Sequence, residues 1–289
     1  MNISYPLTTR TPLPKETAAL IKGGLTKEVA LASLKELAIA LLFAGATCFF
    51  VSSGQSMAIL LGGAVAVVAL NTLFRAGAAF CRYERYSELY EGKTPDKGLG
   101  GIERILSYLA PASFSVLDLY TRNVLTHECG HVLAGAAFFH SAPTISINPM
   151  DGSGLTTYQH FTGYTDLGNT LGPVASGAIT SAAGTGLAVL VDLVGLVVAH
   201  KIRAKNPQLA KYLVCMAIAS IALHIFYALS ALWTVPFPGH DFLALAAVGM
   251  HPLIGAGIMI ALPLIIKGSL CLADFIKEKR QKALSPVTY

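Results

Sequence analysis

The stretch Val124-Leu125-Thr126-His127-Glu128-Cys129-Gly130-His131-Val132-Leu133-Ala134-Gly135 is apolar except where it carries His-Glu-x-x-His. On a helix, residues four apart share a face, so His127 and His131 can aim at one point. Two neutral imidazoles at that spacing make half of a tetrahedral zinc site. Glu128 stands beside them, placed to take a proton from a water at the metal. An ionisable group inside an apolar span costs about 2.5–3.5 kcal/mol on insertion scales. Three such groups within five residues therefore point to chemistry and not to packing.

The surrounding composition sets the class. The chain has 289 residues, 54% hydrophobic and 13% charged, against about 25% charged in an ordinary soluble domain. It reads as an all-α polytopic membrane protein of about six transmembrane helices, multi-pass in an inner or plasma membrane and in contact with the lipid bilayer. The net charge of +5 lies in loops and in the C-terminal tail, which indicates membrane orientation and no nucleic-acid partner. The five cysteines are scattered, odd in number and without a Cys-x-x-Cys. They imply neither a disulfide framework nor a cysteine-bound metal. The first 35 residues carry five basic side chains and the first apolar run follows them too late for a cleavable signal peptide.

Outward from the motif, the order of segments follows. Residues 1–35 read as a cytoplasmic N-terminal segment, with a short surface helix over 26–35. Residues 36–74 read as a transmembrane hairpin, with spans at 36–53 and 57–74 joined by a polar turn. Residues 75–120 read as a charged loop up to residue 104 and then an interfacial or re-entrant helix broken at Pro111, with a true extra span as the alternative. Residues 121–266 hold the core: the motif span 121–140, spans at 167–199, 211–233 and 243–266, and between the first two a β-hairpin over 143–158. That hairpin is read from β-branched residues alternating either side of a Gly/Asp turn. The last span should kink at Pro252 and Pro263. Residues 267–289 form a basic tail. Arg and Lys counts place both termini in the cytoplasm.

A catalytic zinc takes three protein ligands and leaves a position open. After Glu128 the only glutamate is Glu278, in the basic tail, so a distant glutamate ligand is nearly excluded. A third histidine six residues after His131 is also missing: position 137 is Ala, and His140 would face away. The remaining carboxylates are Asp151, Asp166, Asp192, Asp241 and Asp274. Asp241 follows a Pro-x-Pro-Gly break at the edge of a span, where it can serve equally as a ligand in a buried cavity or as the N-cap of the last helix. Asp192 reads as a polar contact between helices. His224 and His251, each alone in an apolar span, read as buried polar groups with a hydrogen-bond partner.

His127-Glu128-Cys129-Gly130-His131 in a membrane helix, Gly172-Pro173 at the start of the next, and then Pro236-Phe237-Pro238-Gly239-His240-Asp241 resemble the site-2 protease family of intramembrane zinc metalloproteases. The likeness covers roughly residues 120–260. It implies one zinc ion held by His127, His131 and Asp241, with Glu128 as the base. It implies a membrane protein substrate, cut in or near a transmembrane segment and held in extended form by the hairpin. Gly172, Pro173 and Ser176 would position substrate or ligands. His240 is open between an alternative ligand, a partner to one, a transition-state donor and a plain loop residue. Four positions depart from the family: Trp233 replaces an Asn, Ser176 an Asn, His240 a Leu and Phe242 a Gly. Those departures keep a second expectation alive, a non-catalytic protease-like membrane protein that binds or regulates a partner. A transporter using the ionisable groups as a proton path is the third.

Overall fold

The computed structural model describes residues 15–51, 54–91, 93–148, 152–234 and 239–284. Among the described residues, its regular structure is helical apart from one two-stranded antiparallel sheet. Five helices among the described residues are long and apolar enough to cross a membrane, by length and composition. The chain is thus a multi-pass membrane protein in its helical content. The motif helix is not one of the five, since it has only 15 residues.

Three helices make up a first compact unit, residues 1–46 and 57–117. Helix α1 runs over Lys15–Cys48, α2 over Gly54–Tyr90 and α3 over Lys97–Asp118. The charge-rich stretches expected as tail and loop are largely helical where described: α1 begins at Lys15, well before the apolar run at residue 36, and α2 continues through Tyr90. Ion pairing across neighbouring helices lets it do so. Glu36 on α1 meets Arg75 on α2, both largely buried. Glu103 on α3 is held by Arg82 at 2.9 Å and Arg85 at 2.8 Å. Burial raises the Glu103 carboxyl, but the two guanidinium groups prevail and hold it below the ordinary range. Pro111 does not break α3. It is itself buried, and the helix continues past it.

The second unit, residues 47–56 and 118–289, contains the motif. A five-residue π-helical turn, Leu119–Asn123, leads into α4, Val124–Phe138. Strands β1, Phe139–Asn148, and β2, Ser153–Tyr164, form a hairpin longer than the expected 143–158. Its register pairs Ile145 with Thr156 and Ile147 with Gly154. Asp151, one of the remaining carboxylates, lies outside the described residues. Helix α5, Asp166–Ile202, is interrupted at Gly172, whose φ of 80° and ψ of 162° are not helical. The Gly-Pro pair therefore divides a short entry turn from a long helix. Helix α6 covers Pro207–Ser230. The expected last span is two helices, α7 over Asp241–Ala247 and α8 over Pro252–Leu284. Gly249, at φ 93°, makes the break, and Pro252 opens α8 instead of kinking it, since its missing N–H is no loss in a first turn. Val189, Leu193, Ile221, Phe242, Leu245 and Met259 form the core among α5 to α8.

Candidate metal centre

Helix α4 lies against α5 at unusually close range. A Cβ added to Gly130 would overlap the Ala183 carbonyl oxygen, so only glycine permits this approach. A Cβ on Gly184 would overlap His131 Nε2 and stand 2.9 Å from His127 Nε2. The small-residue stretch of α5 thus makes room for the two imidazole rings.

Asp241 reaches the same place from the far end of the chain. Its Oδ2 is 3.0 Å from His127 Nε2 and 3.3 Å from His131 Nε2, and the two nitrogens are 3.1 Å apart. Despite this proximity Asp241 Oδ2 has no partner in hydrogen-bond geometry. Three donor atoms therefore converge on one point, and the Asp241 oxygen among them is left unmatched, which is costly in a buried place unless a cation sits there. Donor atoms around a tetrahedral zinc, at about 2.0–2.2 Å, stand about 3.3–3.6 Å from each other. The observed triangle is tighter by only a few tenths of an ångström, so these residues fit such an ion. His127, Glu128 and His131 alone already form a group that could hold a metal.

The surroundings orient the donors. His131 Nδ1 lies 2.7 Å from the Thr180 carbonyl. That contact places the proton on Nδ1 and leaves the Nε2 lone pair facing the triangle. The Tyr158 hydroxyl donates to the His131 carbonyl at 2.7 Å and packs where a Cβ on Gly135 would be. Burial, with the carboxylates of Glu128 and Asp241, pushes the Tyr158 phenol up to about 12, so it remains a donor and is no base at neutral pH. The ring of His224 stacks on His127 at 5.5 Å, and its Nε2 lies 3.2 Å from Asn123 Oδ1, which also accepts from Ser220. His224 is thus the partnered buried histidine expected, although it touches the centre. His251 is not: it is exposed, and its Nδ1 accepts from Leu253 N–H at the start of α8.

Glu128 is 3% exposed, and its Oε2 accepts from Thr156 at 2.7 Å. A Cβ on Gly154 would stand 2.5 Å from Oε1. Gly154, Thr156 and Tyr158 share one face of β2, the face against α4. This face of the hairpin holds Glu128, a contact signalled in the sequence by the period-2 spacing of Gly154, Thr156 and Tyr158.

His240 is buried. Its Nε2 lies 3.0 Å from Ser230 Oγ, and its ring stacks on Tyr227 at 4.4 Å. Asp241 N–H donates to the Tyr227 hydroxyl at 3.0 Å. Tyr227 thereby fixes the His240–Asp241 junction. Asp241 is not the N-cap of the last helix: it is the first residue of the seven-residue α7, whose N-cap is His240. Gly172 and Pro173 form the break in α5. Ser176 donates to Gly168 O at 3.2 Å, a bond that spans the break and ties the long helix to its entry turn. Pro236, Phe237 and Pro238 lie outside the described residues.

Asp192 joins α5 to the π-helical turn: its Oδ1 accepts from Arg122 at 2.9 Å, and Arg122 also grips Asp118 with bonds of 2.5 and 2.7 Å. This is the helix contact expected of Asp192, made as a buried ion triad. Comparison with protein-family models, curated proteins and solved structures finds no match to this chain.

Proposed function

We propose that the protein is a zinc-dependent intramembrane endopeptidase, cutting a peptide bond in or near a transmembrane segment of a membrane protein, in the manner of the site-2 protease family that its motifs resemble. The observation that carries this is the convergence of His127 Nε2, His131 Nε2 and Asp241 Oδ2 within 3.0–3.3 Å of one another, beside a buried Glu128.

His127, His131 and Asp241 would hold a zinc ion, which would supply Lewis-acid chemistry at a carbonyl and a water acidic near neutral pH. The protein's own groups do the rest. Thr156 occupies Glu128 Oε2 and leaves Oε1 to accept the proton of the attacking water. Glu128 then gives that proton to the leaving amine. Glycines 184 and 154 keep the space beside rings and carboxylate clear. The substrate must arrive unwound, because a helical amide already uses its hydrogen bonds. The hairpin offers strand pairing to the opened segment.

The test is a Glu128→Gln protein. It should keep its zinc, measured by elemental analysis, and lose cleavage of reconstituted transmembrane substrates by a factor of about 10³ or more. Asp241→Asn should lose zinc as well. Cleavage by Glu128→Gln at the wild-type rate overturns the assignment.

A further inference from the structure

On α6, Ser220, His224 and Tyr227 fall on one face at helical spacing. Ser220 and His224 bond to Asn123 beside the motif helix, and Tyr227, the next residue of that face, reaches both His127 and Asp241. Aromatic contacts fix its ring. It stacks on His240 at 4.4 Å, meets His127 edge-on at 6.1 Å and meets Phe242 edge-on at 5.6 Å. Its hydroxyl oxygen accepts from Asp241 N–H at 3.0 Å. A phenol is thus held in place between the ring of one donor residue and the backbone of another, before any ligand arrives.

The proton of that phenol sets Tyr227 apart. Tyr158 gives its hydroxyl proton to the His131 carbonyl, and Thr156 gives its own to Glu128. His240, for which the sequence left the role of transition-state donor open, has its Nε2 3.0 Å from Ser230 Oγ and forms the platform under the Tyr227 ring. Tyr227 uses only the acceptor side of its oxygen. Among the described residues nothing accepts its O–H. The nearby carboxylate does not take it, since Asp241 Oδ2 has no hydrogen-bond partner. The side chain is half-buried, unlike the enclosed His224 on the same face. A rigid donor beside the donor triangle is therefore left for a group that is not part of the fold.

We propose that Tyr227 is a catalytic residue, its hydroxyl donating a hydrogen bond to the carbonyl oxygen of the peptide bond being cut. The inference rests on the endopeptidase reading above and adds a residue to its chemistry. The water oxygen bonds to the carbonyl carbon, the π pair of the C=O bond moves onto the carbonyl oxygen, and Glu128 takes the water's proton. The negative oxygen accepts from the Tyr227 O–H, and no proton is transferred there. When the C–N bond breaks, a pair on that oxygen re-forms the carbonyl, the C–N pair leaves with the nitrogen, and Glu128 protonates it. A donor aimed at charge that develops only in the transition state raises kcat and leaves ground-state binding alone.

Two replacements separate the proton from the oxygen. Tyr227→Phe removes both and keeps the ring contacts. Replacing Tyr227 by O-methyltyrosine keeps the acceptor for Asp241 N–H and removes only the donor. Zinc content is read by elemental analysis, and kcat and KM on a reconstituted transmembrane substrate. Affinity is read for a phosphinic peptide, whose tetrahedral phosphorus carries an oxygen where the carbonyl oxygen becomes negative. The O-methyltyrosine protein should keep its zinc and its KM, lose kcat by a factor of about 10²–10³, and bind the phosphinic peptide more weakly by about the same factor. Tyr227→Phe should lose at least as much kcat. In a Glu128→Gln background neither replacement should change affinity for the uncut substrate. Wild-type kcat in the O-methyltyrosine protein overturns the proposal and leaves Tyr227 a positioning residue for Asp241, while the endopeptidase stands. A rise in KM at unchanged kcat, which the bulk of a methyl group alone would produce, overturns it equally. Zinc-loaded wild type that neither cleaves nor binds the phosphinic peptide overturns the endopeptidase reading, and the proposal with it.

Discussion

At the scale of single residues, the site is decided by atoms that are missing as much as by those that are present. Gly184 carries no chemistry, yet any side chain there occupies the place of an imidazole. Gly184→Ala should lower zinc occupancy by about tenfold or more while leaving the membrane helices folded, as elemental analysis and circular dichroism would record. Gly154→Ala should act on a different group. It pushes Glu128 Oε1, so zinc should remain while cleavage falls by about a hundredfold, since small displacements of a catalytic group have that effect. On the proposed reading, the two glycines thus separate metal binding from base positioning. Tyr158→Phe removes a single donor to the His131 carbonyl and should cost about 1 kcal/mol of stability.

At the scale of elements, two charged clusters join helices and behave differently. The triad of Asp118, Arg122 and Asp192 is buried, with Asp118 fully enclosed. Removing Arg122 leaves two buried carboxylates facing each other. Arg122→Met should therefore destabilise the protein by about 3–5 kcal/mol, read by thermal melting in detergent. The pair of arginines on Glu103 is more exposed and screened by solvent. Its carboxyl is held below the ordinary range, so its contribution is present above the unfolded value of about 4.3 and is lost as pH falls through the lower folded value. Melting of wild type and Glu103→Gln should thus differ at pH 7 by on the order of 1 kcal/mol or less, and the difference should vanish in acid.

For the molecule as a whole, the proposed metal links segments more than a hundred residues apart in sequence, since His127 and Asp241 meet at 3.0 Å. A ligand that binds only the folded state stabilises it by about 2.7 kcal/mol at a hundred times its dissociation constant. Zinc removal by chelation should lower the melting temperature of wild type and restore it on readdition. Asp241→Asn protein should melt at one temperature with or without the chelator.

The membrane class, the long helices, the hairpin and the His127–Glu128–His131 face were all legible in the sequence. Each is set by composition or by a repeat of 3.6 or 2 residues, which acts locally. Helix ends in the charged regions were not legible, because Glu36, Arg75 and Glu103 are tolerated in helices only through partners on neighbouring helices. The splitting of the last apolar segment at Gly249 was missed for a related reason: a run of apolar residues shows no period change where backbone breaks. Sequence alone could offer Asp241 as ligand or helix cap with equal weight. Only the tertiary structure brought its Oδ2 within reach of both imidazoles, gave Thr156 to Glu128 and cleared Gly184 beside the rings. These are contacts between residues 28 to 114 positions apart, and no local pattern encodes a distance in space.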